Sequence, residues 1–120
     1  MTAVLRFYGY GACSTCRRAL TWLSDRGIAA EVIDITTDPP GLDLLAEALV
    51  QLGDRRRLFN TSGKRYREIG SERIKAMEDQ TALEALAADG RLIKRPFLVT
   101  ASGRILTGFK EPEWLQLFSS

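Results

Sequence analysis

Residues 4–23 read Val4-Leu5-Arg6-Phe7-Tyr8-Gly9-Tyr10-Gly11-Ala12-Cys13-Ser14-Thr15-Cys16-Arg17-Arg18-Ala19-Leu20-Thr21-Trp22-Leu23, and two kinds of hydrophobic order meet inside them. Val4 to Tyr8 is rich in β-branched and aromatic residues and ends at Gly9-Tyr10-Gly11, the composition of a strand running into a loop. Cys16, Ala19, Leu20 and Leu23 then recur at i, i+3, i+4 and i+7, the period of a half-buried helix, with Gly27 placed for a left-handed C-cap. The spacing predicts a helix from Ser14 to Arg26 and sets both cysteines at the strand-to-helix junction.

Beyond this junction, Glu31 to Ile35 has strand composition. Thr37-Asp38-Pro39-Pro40-Gly41 interrupts it, and Leu42, Leu45, Ala48, Leu49 and Leu52 trace a second helical stripe ending at Gly53. Asn60-Thr61-Ser62-Gly63 is a cluster of turn formers. Tyr66 to Ala88 reads as helix in pieces, with Thr81-Ala82-Leu83-Glu84 matching a capping box and Gly90 closing the run. Arg95-Pro96 precedes an apolar strand, Phe97 to Thr100, which Ala101-Ser102-Gly103 links to Ile105-Leu106-Thr107 as a hairpin. Pro112 opens a last helix carrying Trp114, Leu115, Leu117 and Phe118, and Trp114, Leu117 and Phe118 form a face that docks it on the core. A β-α-β start requires a right-handed parallel crossover and the hairpin adds antiparallel pairs. The expected fold is therefore α/β, a four-stranded mixed sheet of thioredoxin-like order in one domain spanning 1–120. A helical insertion at about 42–90 separates its β-α-β and β-β-α motifs.

The 120 residues suffice for one core and leave no room for a second domain. Apolar residues at 45% and charged residues at 27% exclude disordered and collagen-like classes. No apolar run approaches a membrane span and the start lacks the basic-then-apolar order of a signal peptide, so a cytoplasmic setting is expected. A formal charge of +2 gives no whole-molecule argument for nucleic acid or anionic lipid. Histidine is absent, which removes histidine-activated nucleophiles and the commonest metal ligand, so no metal site is expected.

Chemistry is then sought at Cys13 and Cys16, the only cysteines. Two cysteines placed at random in such a chain fall three apart about one time in sixty. At the start of a helix, Cys13 lies near N–H groups that lack intrahelical partners, which favours a thiolate, and Arg17 and Arg18 are cations able to add to the effect. Cys16 follows one turn later, within reach of a mixed disulfide on Cys13. That order makes Cys13 the nucleophile and Cys16 the resolving thiol. The other readings of the pair are two small core residues, a zinc half-site completed by carboxylates or a second subunit, and a structural disulfide.

Tyr8-Gly9 leading into Cys13-Ser14-Thr15-Cys16-Arg17-Arg18-Ala19-Leu20, then Trp22-Leu23 and Gly27-Ile28, resembles the opening of the ArsC family of arsenate reductase-like proteins, which includes the Spx regulators. The similarity continues through Asn60-Thr61-Ser62-Gly63, Tyr66-Arg67, Arg95-Pro96 and Gly108-Phe109. The resemblance implies a thioredoxin-like fold with a helical insertion, a catalytic cysteine at Cys13, an anion-contacting arginine at Arg95 and a cis-proline at Pro96 facing the active-site loop. The expected substrate-binding set is Ser14, Thr15, Asn60, Arg95 and Pro96.

Glutathione- or glutaredoxin-linked arsenate reductases surround the oxyanion with three arginines, whereas here only Arg95 is kept and Asn60 and Gly108 take the places of the other two. Losing charge-assisted contacts argues against efficient arsenate reduction. Arg55-Arg56-Arg57 could supply charge, although such a run reads first as a solvated face. The leading expectation is a thiol–disulfide oxidoreductase acting through the Cys-x-x-Cys pair, with no tightly bound cofactor and with glutathione or glutaredoxin as electron donor. The alternatives are an Spx-like redox-switched regulator, whose partner would be the C-terminal domain of the α-subunit of RNA polymerase, and a true arsenate reductase.

Overall fold

The computed structural model describes residues 4–119. Strand β1 (Arg6–Gly9) leads to helix α1 (Ser14–Asp25) and strand β2 (Glu31–Asp34). Helices α2 (Leu42–Leu52), α3 (Lys64–Ile69), α4 (Ser71–Ala76) and α5 (Asp79–Ala88) follow, with 3-10 turns at Arg55–Arg57 and Gly90–Leu92. Strands β3 (Phe97–Val99) and β4 (Ile105–Thr107) and helix α6 (Glu111–Ser119) complete the order.

The sheet has four strands in the order β2-β1-β3-β4. β1 pairs in parallel with β2, while β1–β3 and β3–β4 are antiparallel, which is the mixed sheet that a crossover followed by a hairpin requires. Strand alternation divides the core between two faces. Phe7 and Leu98 point to the side of α1 and α6, where they meet Cys16, Ala19, Trp22, Leu23 and Trp114. Tyr8 and Phe97 point to the other side, against Leu45, Ala48, Phe59, Leu83 and Leu86. No described helix is long and apolar enough to cross a membrane.

Helix α1 buries Trp22 with Cys16, Ala19 and Leu23, while Leu20 of the expected stripe is only half-buried. Gly27 takes the left-handed conformation (φ 69°) expected after the helix. Helix α6 docks through Trp114, which is fully buried and meets the Trp22 ring edge-on at 5.9 Å, whereas Leu117 and Phe118 line the margin of that contact.

Two local expectations are corrected. Thr81 is not a helix cap: α5 already begins at Asp79, Glu78 occupies the N-cap position without a side-chain bond, and the Glu78 carbonyl accepts from Ala82 N–H at 2.9 Å. Extended backbone at Met77 starts the helix anew three residues earlier than the motif implies, and Asp79 in the first turn complements the helix dipole. Gly90 does not end that helix, because Asp89 is its C-cap and Gly90 begins the next 3-10 turn. Close approach explains the glycine: a Cβ there would stand 1.7 Å from the Ile35 carbonyl oxygen.

Candidate functional site

The site begins where β1 delivers the chain to α1. Cys13 is the N-cap, with extended backbone (φ −84°, ψ 112°), and its Sγ accepts the Cys16 N–H at 3.2 Å. The sulfur thus takes the place of the oxygen that Ser or Asp usually supplies to the first orphan donors of a helix. The Cys13 N–H donates to the Tyr10 carbonyl at 3.0 Å, and Arg17 closes the loop from outside by donating to the Gly11 carbonyl at 2.8 Å.

Burial acts most strongly on Cys13 and disfavours its charge, but donors outweigh it. The Cys16 thiol and N–H contribute first, followed by the hydrogen bond and positive charge of Arg95, and together they hold the Cys13 thiol below its ordinary value. Cys16 is opposite in every respect. It is 1% exposed, and burial, the bond it donates to Cys13 and the negative charge there push its thiol up to about 12. The cation acting at Cys13 is therefore Arg95. Arg17 is turned toward the Gly11 carbonyl, and Arg18 lies exposed on the next stretch of α1. Both cysteines are free thiols, and among the described residues no group of three or more His, Cys, Asp and Glu is placed to hold a metal ion.

Arg95 precedes β3 through a cis bond to the buried Pro96. Its Cζ stands 5.6 Å from the ring centre of Tyr10, and its Nε is buried with no hydrogen-bond partner among the described residues. A cleft of about 460 Å³ opens beside it. Arg18, Arg57, Lys94, Arg95 and Lys110 supply its cations, Thr15 and the Asn60–Ser62 turn supply neutral polar groups, and no carboxylate among the described residues lines it. The helical segment reaches the cleft through backbone pairing. Asn60 N–H donates to the Leu92 carbonyl and Lys94 N–H to the Leu58 carbonyl, each at 2.7 Å, around a Phe59–Ile93 bridge.

Of the expected substrate-binding residues, Thr15, Asn60 and Arg95 share this cleft. Ser14 faces a separate shallow groove with Arg17, Thr21 and Trp22. Pro96 is buried, where its carbonyl accepts from Gly108 N–H at 2.9 Å. The triple-arginine run is largely committed elsewhere. Arg55 donates to the Lys75 and Met77 carbonyls, Arg56 pairs with Asp54, and Arg57, although at the cleft, is held by both oxygens of Glu113 at 2.8 and 2.9 Å. Tyr10, Lys94 and Lys110 are site residues that the sequence reading missed. The run Lys94-Arg95-Pro96 carried a signal for Lys94, since an additional cation adjoins the anion-contacting arginine.

The ArsC family model matches residues 8–117, which includes the cysteine loop, the Asn60 turn and the Arg95-Pro96 pair. This chain belongs to the ArsC family. The Bacillus subtilis protein YusI, an uncharacterized protein, is 41% identical over 112 residues, covering 92% of this chain and 94% of YusI. An arsenate reductase of Neisseria meningitidis serogroup A is 34% identical over 98 residues, covering 80% of this chain and 82% of the other. The global transcriptional regulator Spx of Enterococcus faecalis is 24% identical over 111 residues, 92% of this chain and 83% of Spx. Among solved structures, a possible arsenate reductase from Streptococcus mutans superposes with a TM-score of 0.86 at 39% identity, covering 96% of this chain and 99% of that one. The mixed sheet with its helices is thus the thioredoxin-like fold of ArsC proteins.

Proposed function

We propose that this ArsC-family protein is a thiol–disulfide oxidoreductase that works through Cys13 and Cys16 and draws electrons from glutathione or glutaredoxin. The observation that carries the reading is the pairing of a helix-capping thiol held below its ordinary value with a buried thiol one turn away pushed up to about 12. Such a pair has one nucleophile at neutral pH and one thiol held in reserve.

The Cys13 thiolate attacks one sulfur of a substrate disulfide, forming a mixed disulfide and releasing the other half as a thiolate. Cys16 then gives up its proton and attacks the Cys13 sulfur. The bound half leaves as a thiolate that takes up a proton, and a Cys13–Cys16 disulfide remains. The substrate gains two electrons and the pair loses two; two molecules of glutathione, or a reduced glutaredoxin, return them. Forming the mixed disulfide also prepares its own resolution. The charge on Cys13 and the bond Cys16 donates to it both disappear, leaving burial as the chief obstacle to ionising Cys16. The cationic cleft beside Arg95 suits the carboxylates of glutathione, with Thr15 and Asn60 as neutral contacts. The mechanism suits a reducing, cytoplasmic compartment, where thiol donors are abundant.

The test is steady-state turnover of hydroxyethyl disulfide, a protein disulfide and arsenate with glutathione and glutaredoxin. Disulfide reduction abolished by Cys13→Ser supports the reading, and an inert wild-type protein refutes it. The Spx likeness across nearly the whole chain favours a second reading, a redox-switched regulator that binds the C-terminal domain of the α-subunit of RNA polymerase. Capture of purified polymerase that changes on oxidation, without disulfide turnover, would establish it instead.

A further inference from the structure

Four of the five cleft cations are accounted for by geometry or position: Arg95 faces Cys13, Arg57 is locked to Glu113, and Arg18 and Lys110 stand exposed at the rim. Lys94 is different. It is half-buried, lines the cleft, and has no ion pair or side-chain hydrogen bond among the described residues. With no partner among the described residues to compete for it, the ammonium is available to an incoming anion in a cleft rich in cations.

Its stem is also held in place. The Lys94 N–H bonds the Leu58 carbonyl at 2.7 Å, and the stem lies across the bare α-carbon of Gly108, where a Cβ would come within 3.1 Å of Cε and 3.8 Å of Cδ. Gly108 has φ 70°, and its carbonyl accepts the indole N–H of the buried Trp114 at 3.2 Å. A glycine anchored to the core of α6 thus forms the bed on which the lysine rests. The side chain has less rotamer freedom to lose when it binds than a lysine in open solvent.

We propose that Lys94 forms a second anion subsite that selects thiol substrates bearing a carboxylate remote from the reacting sulfur. This rests on the oxidoreductase reading and deepens it: Arg95 serves the reacting end beside Cys13, and Lys94 reads the far end of the thiol compound. Neutral or cationic disulfides can react at Cys13 but gain nothing at Lys94. The neighbouring Thr61 and Ser62 leave this part of the cleft without an opposing charge.

The probe is S-methylglutathione, a thioether that cannot exchange, titrated calorimetrically into the reduced protein at low salt alongside its diethyl ester. In the wild type, esterification should weaken binding about tenfold more than in Lys94→Gln, the equivalent of ~1.4 kcal/mol of coupling. Lys94→Arg should retain most of the wild-type discrimination. Equal ester penalties in wild type and Lys94→Gln, or no binding of S-methylglutathione by the wild type, overturn the subsite. The two readings fail separately. Coupling observed in a protein whose Cys13 reduces no disulfide keeps the subsite and removes the oxidoreductase, whereas brisk disulfide reduction without coupling does the reverse.

Discussion

Replacing Arg95 by Gln in a Cys16→Ser background removes the cation at Cys13 and traps the first mixed disulfide for measurement. A hydrogen bond from a charged donor contributes about 1.5–3 kcal/mol, and the lower end applies because Cys13 is only half-buried and water screens the pair. Since ~1.4 kcal/mol is a factor of ten, the ratio of thiolate to thiol at a given pH should fall about tenfold. Reactivity falls less. A more basic thiolate is a better nucleophile, and a Brønsted slope of about 0.4–0.5 returns roughly threefold of the loss. Mixed-disulfide formation with hydroxyethyl disulfide, a neutral probe that Arg95 cannot attract by charge, should therefore slow about three- to fourfold on the acid side of both titrations, where Cys13 is mostly protonated in both proteins. On the alkaline side of both titrations, where Cys13 is ionised in both proteins, the variant should be about threefold faster. The assay is stopped-flow release of mercaptoethanol across pH, with thiolate absorbance followed in parallel. A variant slower by one constant factor at every pH, or a thiolate titration that does not move, would refute a direct action of Arg95 on the Cys13 sulfur.

At limiting iodoacetamide, peptide mapping should place the adduct on Cys13, with Cys16 labelled only after denaturation, because Cys16 is 1% exposed and its thiol is pushed up to about 12. Mild oxidation should produce a Cys13–Cys16 disulfide, seen as a loss of about two mass units; glutathione adducts alone would sink the two-cysteine mechanism. Cys13 also links stability to pH. Its folded-state value is lowered, so its contribution is present above the unfolded thiol value and is lost as pH falls through the folded one. Urea unfolding should accordingly show the advantage of reduced wild type over Cys13→Ser shrinking as pH falls through that window, while Cys16, raised instead, loses its contribution as pH rises above the unfolded thiol value and is common to both proteins. Arsenate turnover with glutaredoxin should be poor and should rise with Asn60→Arg. Gly108→Arg should give less, since φ 70° and the Lys94 stem both oppose a side chain at 108.

Much of the fold was legible because its signals are local. A strand of β-branched and aromatic residues, a 3.6-residue stripe and a cysteine at their junction depend on neighbours a few residues away, and β1, α1 and α2 lie where those patterns put them. The capping box at Thr81 failed because a four-residue motif cannot report where the preceding helix releases the chain. Gly90 was misread for a related reason: its need for hydrogen in place of Cβ comes from the Ile35 carbonyl, which only the packing of the helical segment on β2 brings near.

For the site, the sequence alone determined which thiol caps the helix and which is buried one turn on, since spacing and helical period settle both. Tertiary structure decided the electrostatics. Arg95 rather than Arg17 or Arg18 acts on Cys13, Glu113 holds Arg57, and Lys94 lies over Gly108 with no ion pair among the described residues. Charges act through space, falling with distance and rising with burial, so their effects depend on residues far apart in the chain that the sheet and its helices bring together.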